Sequence, residues 1–340
     1  MYRIGIIGGG QIVQRRHLPE ILDNPEAEVG AICDVVKERV EALAAQYNCK
    51  AYTNWKELVA DPTLDAVIVA ATNTTHAEMS IAALKAGKHV MCEKPMAVSL
   101  EEAQAMMRTA EECGKMLFIA QNQRLAPAHV KAKQLLQSGA LGKVITFKST
   151  FGHPGCERWA KEKKKTWFFQ KSQSYFGCLA DLGIHKIDVV RWMLDDEYTE
   201  VYARVETLNK TYEDGTPIDV EDNATMVLKT AKGATGTITV SWTYEYEDGS
   251  TVFYCTDGVM TIYGDPVYQI VIKRFDGTED YLKVGEIPNN KVQVKSGIID
   301  EFVDSLNRGV ASISGKDGYE PLKVVFGAYE SSRTNSVVKL

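Results

Sequence analysis

Arg3-Ile4-Gly5-Ile6-Ile7-Gly8-Gly9-Gly10-Gln11-Ile12-Val13 decides how the first third of the chain folds. Residues 3–7 are a short apolar run, which reads as a strand; the glycines break it, and a helical pattern follows from about 12 to 22, stopped near Asn24-Pro25. In a strand–turn–helix unit, Gly8 serves the tight turn and Gly10 lets backbone approach a pyrophosphate, with Gln11 and Ile12 completing the cradle. Val13 stands where the pattern has its third glycine, so looser helix–strand packing is expected there. A glycine-rich turn alone is weak evidence. Asp34, just after a second strand at 28–33, strengthens it: a carboxylate there accepts from both ribose hydroxyls and repels a 2′-phosphate, which favours NAD over NADP. The plainer reading of Asp34 is a surface residue closing a strand.

Outward from this unit, strand and helix keep alternating. Helices are expected at 37–47, 55–60 and 75–86, the last ended by Gly87. Residues 66–70 (Ala-Val-Ile-Val-Ala) are continuously apolar, as a strand buried on both faces must be, and further strands read at 89–92 and 116–120. Ser99-Leu100-Glu101-Glu102 is a capping box opening a helix that stops at Gly114. Strands separated by helices of this length mean a doubly wound parallel sheet.

Composition bounds the rest. A chain of 340 residues is expected to hold two domains, and 45% hydrophobic with 25% charged residues is ordinary for a globular protein. A net charge of −6 argues against nucleic acid as a partner, and no apolar run approaches the length of a membrane span. The first residues run straight into the glycines and read as a strand, not a secretion signal. Seven cysteines without a Cys-x-x-Cys pair indicate neither a disulfide framework nor a zinc knuckle, so the cytoplasm is expected.

The second half changes character. A helix is expected at 127–138 and a strand at 143–150; residues 151–174 show little periodicity and carry the run Lys161-Glu162-Lys163-Lys164-Lys165, read as a solvated loop. His153 and Cys156 are two candidate ligands only, and no metal site is expected from them. Seven alternating runs follow (201–208, 223–230, 235–242, 251–255, 259–263, 268–274, 280–284), many separated by Asp-Gly or Lys-Gly turns, and helices close the chain at 298–307 and about 320–332. This describes a large, mostly antiparallel open sheet with one face covered by helices and the other free to meet a second subunit.

The stretch Ala180-Asp181-Leu182-Gly183-Ile184-His185-Lys186-Ile187-Asp188 puts one imidazole and two carboxylates on a single helix face. A neutral imidazole beside a carboxylate suits proton transfer near neutral pH, although a helix N-terminus with an ordinary half-buried histidine explains the segment equally well. With Gly8-x-Gly10, Glu93-Lys94-Pro95 after the strand at 89–92, and Asn122-Gln123-Arg124, this segment resembles the glucose-fructose oxidoreductase / inositol dehydrogenase / rhizopine-catabolism (Gfo/Idh/MocA) family over nearly the whole chain.

The resemblance implies an N-terminal Rossmann domain (1–121) and a C-terminal α+β domain (122–340) for substrate and oligomer contacts, with the helix near 320–332 packing back on the first. It implies an NAD(P)-dependent oxidoreductase of sugars or cyclitols, and the free face of the antiparallel sheet suggests a homodimer or homotetramer. Lys94, Asp181 and His185 correspond to the family's catalytic trio. Ala71, Thr72, Asn73, His76, Glu93, Lys94 and Asn122 fall on the cofactor cleft, and Arg124 on the substrate. For His76, a packing role at a helix N-terminus is an even alternative.

The chemistry suits those residue types. Alcohol oxidation needs a base within hydrogen-bond reach of the hydroxyl, here His185, and a charge to steady the oxygen, here Lys94; Asp181 holds a neighbouring hydroxyl. Asp188 is read as structural, facing the sheet or Arg191. Where relatives carry a run of glycines, this chain has Ser174-Tyr175-Phe176-Gly177-Cys178, so Tyr175 or Phe176, with Trp159 or Trp167, is expected to offer a sugar ring an apolar face; core packing is the competing reading, more so for Phe176. Two other functions fit the resemblance: an NAD-retaining enzyme that cleaves glycosides by transient oxidation at C3, and a non-catalytic cofactor-binding regulator.

Overall fold

The computed structural model describes residues 1–160, 162–285 and 295–340. Lys161 of the basic run therefore lies outside the described residues. The chain divides into two compact units, Met1–Asn122 with Asn290–Tyr319, and Gln123–Asn289 with Glu320–Leu340.

The first unit is built on six parallel strands: β1 (Tyr2–Ile7), β2 (Ala27–Cys33), β3 (Lys50–Tyr52), β4 (Ala66–Val69), β5 (His89–Cys92) and β6 (Leu117–Ile119), in the order β3-β2-β1-β4-β5-β6. The switch between β1 and β4 is where such sheets take their ligands, outside the carboxyl ends of the strands. All of β4 is buried, as its unbroken apolar run requires. The edge strand β3 escapes sequence reading because its three residues are half-exposed or exposed and show no apolar run. Ser99 Oγ accepts from Glu102 N at 3.0 Å and starts the helix Leu100–Glu112 as expected.

The helix Ile298–Arg308 also belongs to this unit, where the sequence placed everything after 121 in the second domain. Its stripe of Ile298, Ile299, Phe302, Val303 and Leu306 is buried, and the Phe302 ring lies 5.4 Å from that of Phe118. Glu20 accepts from Ile299 N at 3.1 Å and so satisfies a backbone donor in that helix's first turn. The stretch from Glu320 onward is grouped with the second unit, where Ser331 Oγ accepts from Ala203 N at 2.9 Å.

The second unit holds a sheet whose nine described strands run β14-β13-β12-β11-β7-β10-β9-β8-β15. They are β7 (Val144–Gly152), β8 (Tyr198–Glu206), β9 (Asn223–Thr230), β10 (Thr235–Ser241), β11 (Thr251–Cys255), β12 (Gly258–Ile262), β13 (Ile270–Arg274), β14 (Glu279–Leu282) and β15 (Val338–Lys339). All neighbours pair antiparallel except β7 and β10, which run parallel with Gly152 opposite Ser241. One row across the sheet, through Val201, Leu228, Phe147, Phe253 and Met260, is buried, whereas the adjacent row carries exposed Val227 and Lys148. No helix among the described residues is long and apolar enough to cross a membrane.

Candidate active site

In the first unit the glycine turn has the geometry a dinucleotide needs. Gly8 sits at φ +103°, and a Cβ there would stand 2.3 Å from the Ala70 carbonyl oxygen, so only glycine closes this turn. A Cβ on Gly10 would meet no described atom within 4 Å, so the backbone of the turn stays open to an approaching phosphate. Val13 is fully buried and opens a π-helical turn, Val13–His17. The wider turn sits where that side chain is lodged.

Asp34 is buried at the end of β2. Its Oδ2 accepts from Gly9 N at 2.7 Å and its Oδ1 from Val36 N at 2.8 Å, which ties the acidic residue to the glycine turn. Arg39 reaches the same carboxylate at 3.1 Å, a partner not anticipated from the sequence. The residues present thus fit a nicotinamide dinucleotide, with Gly8, Gly10, Gln11 and Ile12 forming the turn and the Asp34 carboxylate fastened to it.

Glu93, Lys94 and His76 lie at the carboxyl ends of β4 and β5. Burial alone would raise the pKa of Glu93; a hydrogen bond and charge from His17 outweigh it, aided by Lys94 and Arg16, and hold it at about 2. His17 Nε2 lies 2.8 Å from Glu93 Oε1, and Lys94 N donates to Glu93 Oε2 at 3.2 Å. His17 is 76 positions away in sequence, and no motif marks it. His76 is buried at the start of its helix. Its Nδ1 lies 2.8 Å from Pro95 O and its Nε2 3.2 Å from Ala71 O; burial lowers its pKa, and the neutral ring has one N–H to donate to one of these two carbonyls. Asn73 is buried and Ala71, Thr72 and Asn122 are half-buried in the same unit.

In the second unit, Asp181 lies in a π-helical turn, Leu179–Gly183, that runs into the helix Ile184–Leu194 carrying His185. The entry is held by Glu221, whose Oε1 accepts from Gly177 N and Leu179 N, each at 2.9 Å, while Tyr329 donates to its Oε2. A Cβ on Gly177 would fall 1.9 Å from Glu221 O, so this one position of the Ser174–Cys178 stretch has to be glycine. Asp181 Oδ2 accepts from Trp242 Nε1 at 3.2 Å. The His185 ring lies 6.4 Å from Phe151, itself 6.1 Å from His153. Next along the helix, Lys186 is fully buried, donates to Gly249 O at 2.7 Å, and has its pKa pulled down to about 8 by burial.

Aromatic rings extend from Asp181. Trp242 meets Phe168 edge-on at 6.5 Å; Phe168 stacks on Trp167 at 4.0 Å and meets Trp159 at 5.2 Å. Trp159 and Trp167 therefore share one cluster around Phe168. Phe176 is packed in the core against Phe326 and Tyr329 and is unavailable to a sugar ring, whereas Tyr175 is exposed, with φ +65°. Arg124, expected at the substrate, is buried instead with its fork on Asp188, at 2.8 Å and 2.5 Å. Asp188 is structural as expected, with Arg124 as its partner; Arg191 pairs with Glu197.

Residues 2–121 match the family model of the oxidoreductase family with an NAD-binding Rossmann fold, and residues 129–261 match that of the GFO/IDH/MocA C-terminal domain. The chain is similar to levoglucosan dehydrogenase of Pseudarthrobacter phenanthrenivorans, 30% identical over 69% of this chain and 66% of that protein. It is similar to myo-inositol 2-dehydrogenase of Thermotoga maritima, 29% identical over 99% of this chain and 98% of that protein. A solved levoglucosan dehydrogenase, in complex with NADH and levoglucosan, shares the fold with a TM-score of 0.86 at 23% identity, covering 100% of this chain and 99% of that one.

Proposed function

From the premise that the chain belongs to the GFO/IDH/MocA family, whose members include NAD(P)-dependent oxidoreductases acting on CH–OH groups, we propose that it oxidises a secondary alcohol carbon of a sugar, sugar derivative or cyclitol, or reduces the corresponding ketone. The observation that carries this reading is Asp181: a carboxylate fixed by a buried Trp242 at the end of an aromatic cluster, one turn of helix ahead of His185. Aromatic faces and a carboxylate together suit a polyol, which is apolar on its ring faces and hydroxylated at its rim.

Bound nicotinamide supplies the hydride acceptor. In the oxidative direction His185 takes the hydroxyl proton, Lys94 holds the same oxygen and offsets its developing negative charge, and Asp181 accepts from an adjacent hydroxyl. Asp34 supports NAD over NADP, since a 2′-phosphate would meet a buried carboxylate already receiving two backbone donors; Arg39 at its edge softens that preference. Seven free thiols support a cytoplasmic enzyme, and the uncovered row of the large sheet supports a homodimer or homotetramer.

A panel of sugars and cyclitols, followed by NADH absorbance and product chromatography, tests the reading. His185→Ala and Lys94→Ala are expected to bind NAD normally and lose roughly 100-fold or more in kcat, the usual scale for a positioned acid–base group. Either variant turning over at the wild-type rate overturns the assignment. Release of a free aglycone without net NADH would move the enzyme to glycoside cleavage.

A further inference from the structure

The only parallel pair in the described part of the large sheet, β7 and β10, ends in register at Gly152 and Ser241. The next residues, His153 and Trp242, therefore leave the sheet side by side at its carboxyl end. Trp242 donates to Asp181. His153 is held equally firmly: its own N donates to Ser241 O at 3.0 Å, and its Nδ1 accepts from Gly155 N at 3.0 Å. An Nδ1 that accepts places the ring proton on Nε2, so the neutral ring presents one N–H donor away from its own loop. Lys210 pins that loop, reaching both Pro154 O and Glu157 Oε1 at 2.5 Å.

His153 is 4% exposed, and burial lowers its pKa against the opposing charges of Asp181, Glu247 and Glu157, with Lys210 adding to the lowering, so the ring is held neutral. Phe151 lies within about one ring of both His153 and His185. A buried donor thus leaves the sheet next to Trp242, the residue that holds the Asp181 carboxylate.

We propose that His153 is a substrate-specificity residue: its Nε2–H donates to the sugar or cyclitol hydroxyl that donates to Asp181, so the two side chains read the presence of one hydroxyl. This rests on the function proposed above. A hydroxyl gripped as donor and acceptor at once is discriminated far better than one touching apolar groups, because its absence leaves buried polar groups without partners.

Two variants separate binding from folding. His153→Asn keeps an acceptor for Gly155 N and removes the Nε2 donor; His153→Gln carries an amide N–H to the place of Nε2. Each is assayed on the best substrate of the panel and on its monodeoxy analogues, with Tm and NADH affinity alongside. Wild type should lose at least about tenfold in kcat/KM on one deoxy analogue. His153→Asn should lose about tenfold on the parent substrate and hardly distinguish it from that analogue, while His153→Gln keeps the distinction. Wild-type discrimination in a folded His153→Asn overturns the proposal, and so does discrimination lost in a folded His153→Gln. A wild-type enzyme that turns over no polyol overturns the function itself, which is a different outcome.

Discussion

Glu221→Ala should loosen the helix that carries Asp181 and His185 while touching neither residue. Glu221 is buried, and three donors end on it: Gly177 N, Leu179 N and the Tyr329 hydroxyl. Each buried donor stranded by the truncation costs about 1–3 kcal/mol. Burial raises the pKa of Glu221 against the pull of those donors, so removing it also relieves a desolvation cost, and the lower end of the range applies. The sum is roughly 3 kcal/mol, which for a unit of this size lowers Tm by roughly 6–12 °C. Tyr329→Phe removes one donor and should cost about 1 kcal/mol.

Differential scanning fluorimetry reads the Tm, and initial rates at low temperature read kcat/KM while the variant is still folded. Because Gly177 and Leu179 lie immediately before Asp181, kcat/KM should fall at least about tenfold, equivalent to roughly 1.4 kcal/mol of lost transition-state binding. A Tm within about 2 °C of wild type would refute the cap. A large Tm loss with unchanged kcat/KM would show that Asp181 is positioned by Trp242 alone.

Three further outcomes follow from the same geometry. Gly177→Ala should be poorly soluble or melt well below wild type in fluorimetry, since its Cβ falls 1.9 Å from a backbone oxygen that cannot step aside. Asp188→Asn should destabilise by about 3–5 kcal/mol in urea titration, because the buried Arg124 fork keeps its charge and loses its counter-ion. Glu93 has its folded pKa lowered to about 2 from the ordinary glutamate value of 4.5, so its contribution to stability is present above pH about 4.5 and is lost as pH falls towards about 2. The Tm gap between wild type and Glu93→Gln should therefore narrow from about pH 6 to about pH 3, and a constant gap would contradict the His17–Glu93 interaction.

What was legible in the sequence was what local periodicity and spacing encode. Unbroken apolar runs marked the parallel strands, alternation marked the large sheet, and Gly8 with Asp34 marked the dinucleotide turn, because each depends on residues close in sequence. β3 and β15, three and two residues long without an apolar run, carry too little pattern to register. The glycine at 177 was visible as a letter, but its necessity comes from Glu221 O, which arrives from the loop that leads into β9.

Long-range partners belong to the tertiary structure alone. Arg124 looked like a substrate residue until burial paired it with Asp188, and of the two readings open for Phe176, packing against Phe326 and Tyr329 chose the core. The same folding brought His17 to Glu93, Trp242 to Asp181, and His153 to the end of a parallel strand pair. Sequence by itself determined which side chains could do the chemistry, since chemistry resides in residue types. Burial and packing, which sum over the whole chain, decided which of them are spent holding the fold and which are left to meet a substrate.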